Sequence, residues 1–253
     1  IADIFDKSSK SVGGILRKDD LRDYRAKIAK PVSTTFHGYE IYTHDTWSQS
    51  PVLLQALNLL EGFDLKSMGH NSPEYIHTVS ECLKLSLADR EAFYGDPDFA
   101  DIPIDGLLSK EYADLRKNEF NAEVAIPVQP DPGDPWQFSK IDKPNQFPES
   151  SKLNISETGD NIHPDGTTHI SVIDEAGNFA CATPSGGSFS KSVFFPELGC
   201  AMSTRIEMFN LIEGHPNELV PSKRPRTSLV NYIVAKDGKP LMTIGCPGGD
   251  HQA

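Results

Sequence analysis

The sequence predicts an α+β chain whose first half is mainly helical and whose second half is built from antiparallel strand pairs. Three observations carry that expectation. Ser72-Pro73 opens a stretch with Ile76, Val79, Leu83 and Leu87 on one stripe before Gly95, which is how a capped amphipathic helix reads. Residues 166–187 and 229–244 each place strand-spaced apolar residues on either side of a tight turn, Ala176-Gly177-Asn178 and Lys236-Asp237-Gly238. Helices followed by successive hairpins fit helix packed with antiparallel sheet.

Taken in order, residues 1–30 are rich in charge, and Lys18-Asp19-Asp20-Leu21 with Tyr24 reads as a short helix with one apolar side, ended by Pro31. Residues 36–42, alternating around Gly38, read as a strand, and 44–50 as a polar loop. Pro51 starts a second helix with Leu53, Ala56, Leu57 and Leu60 facing inward and Gly62 marking its end. On the long helix after Ser72, Asp89 and Arg90 read as a surface pair without chemistry. From 124 to 161 the composition shifts: Pro127, Pro130, Pro132, Pro135, Pro144 and Pro148 stand among polar residues, as in a linker or mobile loop. Beyond the first hairpin, 194–202 has apolar strand character, 205–211 shows no decisive period, and 217–226 is a basic loop punctuated by proline.

Composition excludes some classes of function. With 253 residues and 38% hydrophobic content the chain can bury a substantial core of one or two domains. Lys+Arg 24 against Asp+Glu 36 gives a formal charge of -12, which repels polyanions, so nucleic acid is not an expected partner. No apolar run is long enough to cross a bilayer, no targeting segment is recognisable, and the compartment is unread. Cys82, Cys181, Cys200 and Cys246 are scattered without metal-ligand spacing and read as buried thiols, with Cys200 and Cys246 able to meet only if the fold brings them together. The eight histidines, His163 and His169 among them, form no ligand cluster, so neither a metal nor an organic cofactor is implied. Asn154-Ile155-Ser156 fits a glycosylation acceptor, a triplet that also arises by chance.

The chemistry gathers on the 166–187 hairpin. Thr167 and Thr168 open its first strand, and Thr183 and Ser185 follow its second, so antiparallel pairing brings the hydroxyls together. Threonine in strands and Ser-Gly-Gly in loops are ordinary, and alone they read as structure. Further stretches change that reading: Gly-Gly-Ile-Leu-Arg-Lys-Asp-Asp-Leu at 13–21, Ala-Asp-Arg-Glu-Ala-Phe-Tyr-Gly-Asp-Pro-Asp-Phe at 88–99, Ser-Lys-Arg-Pro-Arg-Thr-Ser at 222–228 and Gly-Cys-Pro-Gly-Gly-Asp at 245–250. In this order they resemble the gamma-glutamyltransferases, members of the N-terminal nucleophile hydrolases, over nearly the whole chain.

That resemblance implies a four-layer αββα sandwich, of which this chain is expected to be a fragment. Residues 1–123 would be the C-terminal part of a large-subunit-like region, 124–166 a linker ending at an autocleavage site, and 167–253 the start of a small-subunit-like region. It places the nucleophile at Thr167, freed by cleavage of Gly166-Thr167. An alcohol needs a base within reach, and a freed α-amine of pKa about 8 supplies one on the same residue. Ser185 falls where the family has a second hydroxyl bonded to the nucleophile. Gly248 and Gly249 match the glycines whose N–H groups face the developing oxyanion, although a Pro-Gly-Gly alone would read as a turn. Thr227 and Ser228 match the hydroxyls that hold the substrate's α-carboxylate, while Lys223 and Arg224 read as part of a charged surface turn, solvated or paired with acids. Small-molecule amides are the implied substrates, and two subunits from one precursor the implied product of processing.

The departures are informative. Where the transferases grip the glutamyl ammonium with an asparagine, a glutamine and an aspartate, this chain has Gly187, Arg205 and Met208, unless a one-residue slip brings Glu207 into place. A cation beside Arg205 is repelled, so the expected acyl group lacks a free α-amine, a dicarboxylic or aromatic group such as the related cephalosporin acylases accept. Three readings follow: a gamma-glutamyltransferase-type hydrolase or acyl transferase, a cephalosporin-acylase-like amidohydrolase, and a noncatalytic unprocessed relative.

Overall fold

A computed structural model describes residues 1–145, 147, 167–186 and 192–253. Gly166, Gly187, Asn154 and His163, and with them the expected cleavage junction, lie outside the described residues. The centre of the fold is a four-stranded antiparallel sheet in the order β1-β2-β7-β8, with β1 Val32–Phe36, β2 Tyr39–Thr43, β7 Tyr232–Lys236 and β8 Lys239–Ile244. The 36–42 stretch is therefore no single strand: His37 and Gly38, at φ 48° and 81°, reverse the chain and pair Phe36 with Tyr39. Asp237 and Gly238, at φ 53° and 71°, make the equivalent reversal between β7 and β8, as the turn chemistry predicts.

One face of this sheet is covered by α3, Pro51–Leu60, whose Leu54 packs with Ile41, Val230, Tyr232 and Val234. Against α3 lies the long α5, Pro73–Phe93, which Ser72 caps by accepting the Tyr75 N–H at 3.0 Å. The expected stripe on α5 is only half the story. Ile76 is exposed, and toward the C-terminal end the helix is enclosed on several sides, burying Cys82, Leu85, Ala88, Ala92 and Phe93 together with Glu81, Asp89 and Arg90.

Asp89 and Arg90 are thus not a surface pair, being 2% and 6% exposed and bonded to different partners. The Asp89 carboxylate accepts from Tyr112 Oη at 2.8 Å, Gln55 Nε2 at 3.0 Å, the Gly133 N–H at 2.9 Å and Arg116 Nη2 at 3.3 Å. Arg116, in α7 Lys110–Arg116, also donates to the Asp131 carbonyl at 2.9 Å. Together with Trp136, buried beside Phe93, these bonds fasten the first part of the proline-rich stretch to the core. Side chains thus satisfy backbone groups of Asp131 and Gly133, while Trp136–Phe138 forms a 3₁₀ turn with backbone bonds of its own.

The N-terminal region holds α1 (Ala2–Ser11), absent from the sequence expectation, and α2 (Lys18–Asp23), none of whose residues is buried. α2 therefore has no packed apolar side. The remaining short helices are α4 (Leu65–Met68) and α6 (Ile104–Leu107). The second half adds two separate hairpins. β3 (Ile170–Ile173) pairs with β4 (Phe179–Ala182) around Gly177 at φ 80°, and β5 (Phe194–Phe195) pairs with β6 (Cys200–Ala201). Residues 194–202 are accordingly a small hairpin and not one strand, and Arg205–Met208 forms a 3₁₀ turn. No described helix is long and apolar enough to cross a membrane.

Candidate active site

The β3–β4 hairpin delivers its hydroxyls as its pairing requires. Thr167 and Ser185 face each other across an antiparallel bridge just beyond the strand ends, and Thr167 Oγ1 donates to Ser185 Oγ at 3.0 Å. The Thr168 N–H holds the Pro184 carbonyl at 3.2 Å. Thr183 Oγ1 reaches the Val230 carbonyl at 2.7 Å, and His169 Nδ1 lies 2.9 Å from the same hydroxyl. These contacts fasten the hairpin's open end to the segment that enters β7. His169 is therefore a bracing residue of the hairpin.

Arg205 stands over this pair of hydroxyls. The Thr204 N–H, bonded to the Gly186 carbonyl at 2.9 Å, sets the 3₁₀ turn beside the hairpin. From there Arg205 Nη2 donates to Ser185 Oγ at 2.5 Å and Nη1 to Ser228 Oγ at 3.0 Å, with Met208 Sδ 3.2 Å from Nη1. Burial lowers the Arg205 pKa from its ordinary value. Its Nε is buried with no partner, and no carboxylate lies within ion-pair distance of the guanidinium among the described residues. Glu207, which a one-residue slip would recruit, is exposed and accepts from Thr204 Oγ1 at 3.0 Å.

Ser228 is 1% exposed and Thr227 Oγ1 is buried without a partner among the described residues. Both are placed by Gln49. Its backbone N–H donates to the Thr227 carbonyl at 2.8 Å, and its Nε2 donates to the Ser228 carbonyl at 2.8 Å and the Gly249 carbonyl at 3.0 Å. Gly248 and Gly249 adopt φ of 142° and 59°, which favour glycine at both positions. The Gly249 N–H is 3.0 Å from the Gln252 carboxamide oxygen in the amide orientation that satisfies its neighbours.

Behind Gln49 runs an ionic chain that the sequence reading did not single out. Gln49 Oε1 accepts from Arg90 Nη1 at 2.5 Å; Arg90 pairs with Glu91 and, at 3.2 Å, with Asp250; Arg226 Nη1 donates to Glu91 at 2.8 Å. Burial alone would raise the Glu91 pKa, but the charges of Arg226 and Arg90 override it and hold it at about 2. The signal available was three adjacent charges, Asp89, Arg90 and Glu91, on the enclosed part of a core helix. Gln49 gave less: Thr46, Ser48, Gln49 and Ser50 are all fully buried although their polarity reads as a solvent loop. Arg224 likewise clamps Asp96 with Nε at 3.0 Å and Nη2 at 2.5 Å, the acid-paired form of the expected turn.

A threonine hydroxyl, a second hydroxyl, a half-buried guanidinium and a Gly-Gly turn tied to Ser228 thus converge on one locality. The gamma-glutamyltranspeptidase family model matches residues 1–253. The chain belongs to that family. Similar proteins include a glutathione hydrolase proenzyme of Bacillus subtilis subsp. natto, 32% identical over 239 residues, covering 94% of this chain and 39% of the relative. Another is the acylase ACY 1 proenzyme of Pseudomonas sp. strain SE83, 31% identical, covering 93% and 38%. Among solved structures, a cephalosporin acylase from Bacillus halodurans superposes with a TM-score of 0.78 at 26% identity, covering 99% of this chain and 40% of that one. The chain therefore spans about two-fifths of the length of these family members.

Among the described residues no group of three or more His, Cys, Asp or Glu is placed to hold a metal ion. All four cysteines are free, but only Cys82 is buried as expected, and Cys200 and Cys246 are exposed. A cavity of about 720 Å³ is lined by residues that include Tyr42, His44, Trp47, Phe179, Cys181 and Asn231, and neither Thr167, Ser185, Arg205 nor Ser228 lines it.

Proposed function

We propose that the protein carrying this chain is an amide-bond hydrolase or acyl transferase that works through Thr167 after the Gly166-Thr167 bond is broken. The observation that carries this reading is the 3.0 Å bond from Thr167 Oγ1 to Ser185 Oγ, under the Arg205 guanidinium. In the precursor, the Thr167 hydroxyl attacks the preceding carbonyl, the amide becomes an ester, and water releases the Gly166 carboxylate and a free Thr167 amine. That amine, with a pKa of about 8, takes the hydroxyl proton as Oγ1 attacks a substrate amide carbonyl. The proton passes to the leaving amine, and water or another amine then resolves the acyl ester. Donors at Gly248 and Gly249 would receive the oxyanion, with the Gln252 carboxamide giving up the Gly249 N–H.

On this reading 124–166 is the segment that ends at the cut, and 167–253 begins a second subunit held to the first through the shared sheet, since β2 pairs with β7 across the junction. The four-layer αββα sandwich belongs to the same proposal. It is supported by one antiparallel sheet covered by α3, against which α5 packs, and by the likeness to the cephalosporin acylase. A cephalosporin-acylase-like amidohydrolase is the second reading, favoured by Arg205 where a glutamyl ammonium would otherwise bind.

The test is N-terminal sequencing and intact mass of the full-length protein. Two polypeptides are expected, the second beginning Thr-Thr-His-Ile-Ser, and Thr167→Ala should give one inactive polypeptide. An uncut wild type would favour the noncatalytic relative.

A further inference from the structure

We propose that Asn217 is a positioning residue that fixes the segment carrying Arg205 against the segment carrying Thr227 and Ser228, and that it does so only while the His215 ring is neutral. The inference rests on Thr167 as nucleophile and adds a pH-dependent support for the segments beside it. Asn217 is 3% exposed, and both its backbone groups and both ends of its side chain are bonded. Its Nδ2 donates to the Met208 carbonyl at 2.6 Å, at the end of the 3₁₀ turn from which Arg205 reaches Ser185 Oγ and Ser228 Oγ. Its Oδ1 accepts the Arg226 N–H at 2.7 Å, one residue before Thr227. One carboxamide thus spans the two segments.

His215 sets that carboxamide in place. A backbone N–H can only donate, so the 2.9 Å bond from the Asn217 N–H makes His215 Nδ1 an acceptor and puts the ring proton on Nε2, which donates to the Glu91 carbonyl at 2.8 Å. His215 is 4% exposed, and the loop has no slack, since a Cβ on Gly95 would lie 2.0 Å from the Pro216 carbonyl oxygen. The charged groups facing the ring are Glu91 on α5 and Lys223 and Arg226 on the loop that follows. Burial above all, with the charges of Arg226 and Lys223, lowers its pKa from 6.5 against the opposing pull of the Glu91 carbonyl and carboxylate. The ring is therefore neutral at pH 7 and charges as the pH falls through that lowered value. A proton added at Nδ1 faces the Asn217 N–H, donor against donor, and the bond is lost. Glu91, held at about 2, stays ionised meanwhile.

The test is the pH dependence of kcat/KM for the mature protein from about pH 8 to about pH 4.5, with whichever of gamma-glutamyl anilide and glutaryl anilide the wild type turns over faster. Protonation of the Thr167 amine costs about tenfold for each pH unit below about 8 in every variant. In wild type a second proton should steepen the fall toward about a hundredfold for each unit at the acid end, reversibly and with circular dichroism unchanged. His215→Asn, whose Oδ1 can accept the N–H two residues on without titrating, should keep the single-proton slope, so its rate relative to wild type rises as the pH falls. Asn217→Asp keeps the acceptor for Arg226 and loses the donor to Met208, and should lower kcat/KM about tenfold or more at pH 7. The wild-type slope needs no substitution, so a variant that does not fold leaves the test standing. A single-proton slope in wild type, a flat ratio of His215→Asn to wild type, an acid loss that tracks unfolding, or Asn217→Asp within about twofold of wild type overturns the role of Asn217 and His215 alone, provided Thr167→Ala abolishes turnover. Turnover that survives Thr167→Ala, or none by wild type, overturns the reading of Thr167 and this role with it.

Discussion

Replacing Glu91 with glutamine removes one negative charge from between two buried arginines and leaves the shape almost unchanged. Glu91 accepts from Arg226 Nη1 at 2.8 Å and pairs with Arg90, whose side chain is 7% exposed. Its pKa is lowered from 4.5 to about 2. Converted at about 1.4 kcal/mol for each unit, that depression is on the order of 3 kcal/mol of stability, close to the cost of removing one partner from a buried ion pair. Because the folded pKa lies below the unfolded one, the contribution is complete above pH 4.5 and disappears as the pH falls toward 2. Urea denaturation at pH 7 should therefore show Glu91→Gln less stable than wild type by about 3 kcal/mol, with the gap narrowing between pH 5 and about 2.5. The site should respond as well, since Arg90 holds Gln49, and Gln49 holds the Ser228 and Gly249 carbonyls. A gap below about 1 kcal/mol at pH 7, the range of exposed pairs, would refute the reasoning, as would a gap that does not change with pH.

Other substitutions test separate parts of the account. Asp89→Asn leaves Arg116, 3% exposed, without its buried carboxylate, and should cost about 3 kcal/mol in denaturation experiments. Ser185→Ala removes the acceptor shared by Thr167 and Arg205 and should lower kcat/KM about tenfold or more, with Ser185→Thr retaining most of the activity because the hydroxyl is kept. Gly95→Ala places a methyl 2.0 Å from the Pro216 carbonyl oxygen, and calorimetry should show a loss of about 1–3 kcal/mol.

Local chemistry made much of the fold legible. The Ser72 cap, Pro51 at a helix start and the Gly177 and Gly238 reversals each express a preference of a few neighbouring residues, and all appear where that chemistry puts them. The reading failed where tertiary contact decides. His37 takes positive φ without being glycine, so the end of β1 and most of β2 read as one strand over 36–42, and residues 32–35 went unread. Trp136 and Gly133 belong to the core only because Phe93 and Asp89 are there to meet them, which no period within 124–145 records. The pairing of Thr167 with Ser185 was legible because a hairpin fixes its own register. Gln49, Arg90 and Glu91 were not, because hydrogen bonds between residues more than a hundred positions apart leave no spacing in the chain.

The most direct measurement is acyl trapping. The mature protein is mixed with excess glutaryl anilide, quenched in acid during steady-state turnover, digested and mapped by mass spectrometry. A glutaryl group esterified to the hydroxyl of the peptide that begins at Thr167, and absent from Thr167→Ala, is the predicted result. Continued turnover with the acyl group on a different residue, or with Thr167 still joined to Gly166, would contradict the account.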